Sequence, residues 1–219
     1  MREYESYRCN VCGNIVEVQS VGGGELSCCK QKMECITENL TMVNLMKAFA
    51  GESMARNKYE YFAKVAQKEG YRDIAEHFQR AANNEKTHAK LELSLYNRMK
   101  TNSENNFGNT AENLQSAIEG ESYENVTMYP NFANVAKEEG YNEAYRLFKG
   151  IGKIEVEHEN MYKMLLERLE SGKEFVSDNE EEAWICEVCG HIHYGKEALE
   201  VCPVCKHPKP FQSRLNTVK

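Results

Sequence analysis

The chain has 219 residues, 28% of them charged, with a formal net charge of −7 and nine cysteines. Lys and Arg are scattered among Asp and Glu without a basic block, so nothing in the composition recruits nucleic acid or an anionic lipid surface. No stretch approaches the ~18 apolar residues of a membrane span, and the opening MREYESYRC has no apolar signal core, so a soluble cytoplasmic protein is expected.

The cysteines fall into two compact groups of four. Cys9, Cys12, Cys28 and Cys29 lie near the start, Cys186, Cys189, Cys202 and Cys205 near the end, and Cys35 stands apart. In a reducing compartment such grouping points to metal rather than to disulfides. Residues 1–38 therefore read as a small β- and loop-rich four-cysteine module. Its CNVC is joined, after a run of glycines, by the adjacent Cys28 and Cys29. Adjacent thiolates cannot form the relaxed two-residue knuckle, so a distorted tetrahedron is expected, suited to Zn(II) or to a single Fe.

Residues 39–171 read as four long helices. The first runs from Leu40 to Gly70 with Leu45, Phe49, Tyr59, Phe62 and Ala66 on one stripe, and Gly70 as its stop. The second spans about Arg72 to Lys100, with Ile74, Phe78, Ala81, Leu91, Leu95 and Met99 on its stripe. A polar, Asn-rich connector, Thr101 to Thr110, follows. The third helix runs from about Glu112 to Glu139 and the fourth from Asn142 to Glu170. Residues 172–183 form an acidic linker, and residues 184–219 a second four-cysteine module. There CEVC and CPVC have the paired-knuckle spacing of one tetrahedral thiolate site.

Two stretches of the helical region repeat. GESMARNKYEYFAKVAQKEGY from Gly51 returns as GESYENVTMYPNFANVAKEEGY from Gly120, and each copy is followed by Glu-x-x-His, at Glu85/His88 and Glu155/His158. Glu52 recurs 69 positions on as Glu121, but Phe62 recurs 70 positions on as Phe132, so the second copy carries one extra residue. Pro130 lies beside that insertion, and a π-type bulge between Glu124 and Phe132 is predicted to absorb it. Each copy supplies one Glu from a first helix and a Glu-x-x-His from a second, which is the half-site of a di-iron or di-manganese carboxylate centre in a four-helix bundle. These carboxylates interrupt apolar stripes without Lys or Arg beside them, and ionised carboxylates there are costly unless they bind metal. Glu124 breaks the symmetry, because its counterpart is Ala55. Five carboxylates against two imidazoles favour the oxidised metal pair, and an iron exchanging His88 for Glu124 would be a redox-coupled switch.

Over Leu40 to about Gln212 the chain resembles rubrerythrin, through AFAGES, NEKTHAK, GESYE, MYP and CPVCKHPKPF. The N-terminal CNVCGNIVEV with GGGELSCC and Met33 resembles desulforedoxin. The three-module order is similar to that of desulforubrerythrin. The resemblance implies a mainly α, ferritin-like four-helix bundle flanked by two four-cysteine iron modules, with four Fe per chain. It implies a di-iron site of Glu52, Glu85, His88, Glu121, Glu124, Glu155 and His158, with Tyr59 and Tyr129 hydrogen-bonded to its ligands. The implied activity is reduction of hydrogen peroxide to water in oxidative-stress defence. Electrons would come from an external rubredoxin or an NADH-dependent flavoprotein reductase. A ferroxidase of the ferritin-like class is the alternative. Superoxide reduction would need four imidazoles and a thiolate on one iron, which the six histidines do not supply. The short connector also points to a homodimer in which the first two helices pair with the last two of a second chain.

Overall fold

The computed structural model describes residues 1–102 and 107–215. The fold is mainly α, with a small β module at each end, and divides into two units, Met1–Phe107 and Gly108–Lys219.

In the first unit, β1 (Ser6–Arg8) lies between β2 (Ile15–Glu17) and β5 (Glu34–Cys35), all antiparallel, with Tyr7 opposite both Val16 and Cys35. A separate ribbon pairs β3 (Ser27–Cys28) with β4 (Gln31–Lys32). Its two-residue turn is Cys29–Lys30, with φ of 52° and 62°, so the hairpin takes the double left-handed turn that matches strand twist even though neither residue is glycine. This turn is how the chain brings adjacent cysteines to one metal site. The module rests on helix α1 (Leu40–Lys68) through Lys47, whose Nζ pairs with Glu17 at 2.9 Å and lies 4.4 Å from the Tyr4 ring centre.

Helix α1 is capped by Asn39, which accepts from the Met42 amide at 3.2 Å, and packs along α2 (Arg72–Thr101) as a hairpin. Gly70 ends α1 with φ of 91°, and the Tyr71 amide reaches back to the Ala66 carbonyl at 2.9 Å. The second unit repeats this turn, with Gly140 at φ 83° and Tyr141 bonded to Ala136 at 2.8 Å. Small residues make close packing possible in both hairpins: Ala63, Ala66, Ala75, Ala82 and Ala89 are buried in the first, Ala133 and Ala136 in the second.

The third predicted helix is interrupted. Helix α3 (Thr110–Tyr123) gives way to a π-helical turn, Glu124–Met128, and resumes as α4 (Tyr129–Glu138). The Tyr129 amide bonds to the Glu124 carbonyl, one residue further back than in an α-helix, and so the inserted residue is absorbed where the sequence predicts it. Both α3 and α4 pack on α5 (Asn142–Glu170).

The C-terminal sheet has β6 (Ala183–Cys186) between β7 (Ile192–Tyr194) and β8 (Gln212–Arg214), around the fully buried Trp184. Residues 172–183, expected as a linker, are partly built into this module. Arg214 donates to the carbonyls of Lys173 and Val176 and to Glu182, and the Ser177 amide bonds to Lys196. One guanidinium satisfying several acceptors, those of Val176 and Glu182 partly buried, explains why an acidic segment folds down rather than extending into solvent. Among the described residues no helix is long and apolar enough to cross a membrane.

Candidate metal centres

Each hairpin carries one Glu-Glu-His triad, and the two are nearly the same. In the first unit His88 Nδ1 lies 2.7 Å from Glu85 and 3.8 Å from Glu52; in the second His158 Nδ1 lies 2.7 Å from Glu155 and 3.7 Å from Glu121. All three potential ligand atoms of each triad lie within 4.8 Å of one another. Ligands at right angles on bonds of ~2.1 Å are ~3 Å apart, so either set can grip one metal ion with small side-chain adjustments. Helical spacing explains the pairing, since Glu and His at i and i+3 project from one face.

The electrostatics favour a cation. Burial, followed by the nearby Glu155, raises the Glu121 carboxyl above its usual range, while His158 opposes the shift. Glu92, one turn beyond His88, is raised by burial and then by Glu52. Carboxylates that repel one another in a half-buried cluster are stabilised by a bound divalent or trivalent ion.

Glu124 stands at the start of the π turn and is not part of the tight triad. It is nonetheless close enough to raise both Glu121 and Tyr129. Tyr129 is shifted up by burial first, then by Glu124, Glu155 and Glu121, so its hydroxyl stays protonated at neutral pH. Among the described residues neither Tyr59 nor Tyr129 hydrogen-bonds a triad carboxylate, although the resemblance implies that both do. Their rings instead lean on phenylalanines, Tyr59 on Phe62 and Phe78, and Tyr129 on Phe148.

The histidines lie on faces that their own hairpins leave open. His88 is 53% and His158 46% exposed. His88 shares its stripe with the exposed Leu91 and Leu95, and His158 shares its own with the exposed Leu147, Ile154 and Met161. Apolar stripes are expected to face a core, but among the described helical residues each hairpin alone buries only alanines and, in the second unit, Ile118 and Glu155, leaving these larger side chains exposed.

Both cysteine groups are assembled. In the N-terminal group Cys12 Sγ lies 3.6 Å from Cys28 Sγ, and Cys28 Sγ 3.9 Å from Cys29 Sγ. In the C-terminal group Cys186 Sγ lies 3.5 Å from Cys205 and Cys189 Sγ 3.6 Å from Cys202. Four thiolates at ~2.3 Å from a tetrahedral ion are ~3.8 Å apart, which these edges match. Three CxxC knuckles share one design. The Cys9, Cys186 and Cys202 carbonyls accept from Gly13, Gly190 and Lys206, each of which has positive φ. Amides of Cys12 and Val11 point at Cys9 and lower its thiol to about 6; the Cys205 amide, ahead of that of Val204, does the same for Cys202, also to about 6. Cys28, facing Cys12, Cys9 and Cys29, is pushed up to about 12. Cys35 is exposed and outside both groups. His77 pairs with Asp73 at 3.8 Å, and neither it nor His191, His193 or His207 joins a metal-ligating group among the described residues.

Comparison with known proteins accounts for all three modules. The desulfoferrodoxin N-terminal domain matches residues 1–36, rubrerythrin residues 43–166, and the rubredoxin-like domain of rubrerythrin residues 184–211. A putative rubrerythrin of Methanocaldococcus jannaschii is 43% identical over 185 residues, 78% of this chain and 90% of the relative. The rubrerythrin of Porphyromonas gingivalis is 42% identical over 182 residues, 81% of this chain and 90% of the relative. The first module has its own likeness, to a desulfoferrodoxin homologue of Methanothermobacter thermautotrophicus, 57% identical over 37 residues that make up 17% of this chain and 30% of that one. With paired carboxylate-histidine triads between two four-cysteine modules, the chain belongs to the rubrerythrin family, carrying a desulfoferrodoxin-type N-terminal domain and a rubredoxin-like C-terminal domain.

Proposed function

We propose that the chain is a hydrogen peroxide reductase of the non-haem di-iron type. The observation that carries this reading is the pair of matching Glu-Glu-His triads, each on an open apolar face, in a chain that also holds two four-thiolate sites. When bound, an iron pair supplies two electrons and Lewis acidity to the peroxide oxygens. Glu52, Glu85 and His88 would hold one side of the centre, and Glu121, Glu155 and His158 the other. Glu124, whose counterpart in the first copy is Ala55, would add a carboxylate and could exchange with His88. Tyr129, kept protonated by burial and the neighbouring carboxylates, provides a hydrogen-bond donor beside the reacting oxygens. The overall reaction takes hydrogen peroxide, two electrons and two protons to two waters. The thiolate sites, filled with iron, suit one-electron relay from a separate donor, an external rubredoxin or an NADH-dependent flavoprotein.

A complete centre needs both hairpins, and chain length bears on how they meet. In a ferritin-like bundle the second and third helices run parallel, joined by a crossover along its length. Helix α2 ends 13 residues past His88, and α3 begins 11 residues before Glu121, which at ~1.5 Å per residue sets their ends ~36 Å apart. The eight intervening residues, 102–109, span at most ~32 Å fully extended. The reading is therefore a swapped homodimer, in which α1–α2 of one chain closes on α3–α5 of another.

Stopped-flow oxidation of the iron-loaded, reduced protein tests the activity. Rapid oxidation by peroxide and slow oxidation by dioxygen is the expected result. The reverse order would make the chain a ferroxidase, and zinc in every site would remove the redox reading altogether.

A further inference from the structure

Glu159 is a carboxylate beside the second triad that no step above uses. It follows His158 on α5 and its side chain is only 13% exposed. Asn125 Nδ2 donates to it at 2.5 Å and Lys163 Nζ at 2.6 Å. Asn125 lies inside the π turn, directly after Glu124.

A π turn is wider than an α turn and persists where its surroundings hold it. The duplication supplies an internal control. Arg56 and Ala89 occupy the positions of Asn125 and Glu159 in the first copy. With Ala89 at the Glu159 position, no carboxylate stands there to meet Arg56. Arg56 pairs along its own helix with Glu60 at 3.4 Å, and α1 runs unbroken from Leu40 to Lys68. The half with the clamp has the π turn; the half without it has neither the turn nor a carboxylate at the Glu124 position.

We propose that Glu159 is a positioning residue: through Asn125 it pins the π turn in its wide form, and so fixes where Glu124 presents its carboxylate to the second triad. Released from the clamp, the turn can tighten or migrate along the helix, carrying Glu124 off the metal-facing side. The structural claim stands on the hydrogen bonds; its consequence for turnover rests on the peroxide reductase reading.

The test uses full-length Asn125→Ala, Glu159→Ala and Glu159→Gln, the last keeping an amide oxygen that still accepts from Asn125. Hydrogen exchange at the Tyr129 amide, which closes the π turn onto Glu124, is expected to quicken about tenfold or more in both alanine variants and to stay near wild type in Glu159→Gln. With iron bound, kcat for peroxide should fall about tenfold in the alanine variants, with KM and iron content unchanged. Unaltered Tyr129 exchange in Asn125→Ala overturns the clamp, and that variant decides the matter if Glu159→Ala does not fold. Faster exchange with kcat within about twofold of wild type overturns the link to Glu124. A wild-type chain inactive toward peroxide would sink the enzymatic reading, while the exchange experiment would still decide the clamp.

Discussion

Glu155 and Glu121 show how one carboxylate is tuned by another. Glu121 has a raised folded-state pKa, from burial and then from Glu155, so its charge destabilises the metal-free chain at neutral pH. A raised carboxyl contributes stability that is fully present below its unfolded pKa and lost as pH rises through its folded pKa. In the metal-free protein the Glu121 contribution is therefore expected to grow as pH falls toward 4.5, and Glu155→Gln to reduce that growth relative to wild type. Melting curves with and without chelator check it. The same substitution should weaken iron retention by roughly 100-fold, measured by competition with a chelator. Glu5 gives the opposite sign. Arg2, then Tyr7, hold its carboxyl down at about 2. Its contribution is present above about pH 4.5 and lost as pH falls toward 2, so the melting difference between wild type and Glu5→Gln should be largest at neutral pH and vanish in acid. The triad residues were legible from Glu-x-x-His spacing and repetition. Glu159 was not, because a Glu beside a ligand histidine reads as a solvated helical residue until its partners are placed.

The two hairpins are the same element solved twice, and their differences are local. Gly140 ends α4 in a left-handed conformation at φ 83°, so Gly140→Ala should cost about 1 kcal/mol or more by chemical denaturation. Gly152 has a different role. A Cβ there would meet Tyr129 Cβ at 3.1 Å, whereas the matching position in the first copy is Ala82, fully buried without a clash. Gly152→Ala is expected to push Tyr129 away and cost roughly 1–3 kcal/mol, and the tyrosine's displacement would appear in its ring resonances. The π turn was legible because two copies of one text differed by a single residue. The folding of residues 173–178 onto the C-terminal module was not, since it depends on Arg214, distant in sequence, reaching their carbonyls.

At the scale of the whole molecule, the exposed stripes of His88 with Leu91 and Leu95, and of His158 with Leu147, Ile154 and Met161, call for a covering surface. Subunit mixing distinguishes a swapped pair from closure within one chain. A chain carrying Glu85→Gln and another carrying Glu155→Gln are each expected to be inactive. Unfolded and refolded together, a swapped heterodimer builds one site with both substitutions and one with neither, restoring about a quarter of wild-type activity. Closure within a chain restores none.

The sequence by itself determined the inventory: the eight clustered thiols, the two Glu-x-x-His motifs, the duplication and its one-residue insertion, because spacing within a helix or knuckle is local and dictates which side chains share a face. Tertiary structure decided what lies across that local order. It turned Cys29–Lys30 into the tight corner that brings adjacent thiols to one site, set Glu159 against Asn125, and left the histidine faces uncovered by their own hairpins. The Glu159 contact depends on residues distant in sequence, and the Cys29–Lys30 corner on a doubly left-handed turn that neither residue type announces; no single helical or strand period encodes either.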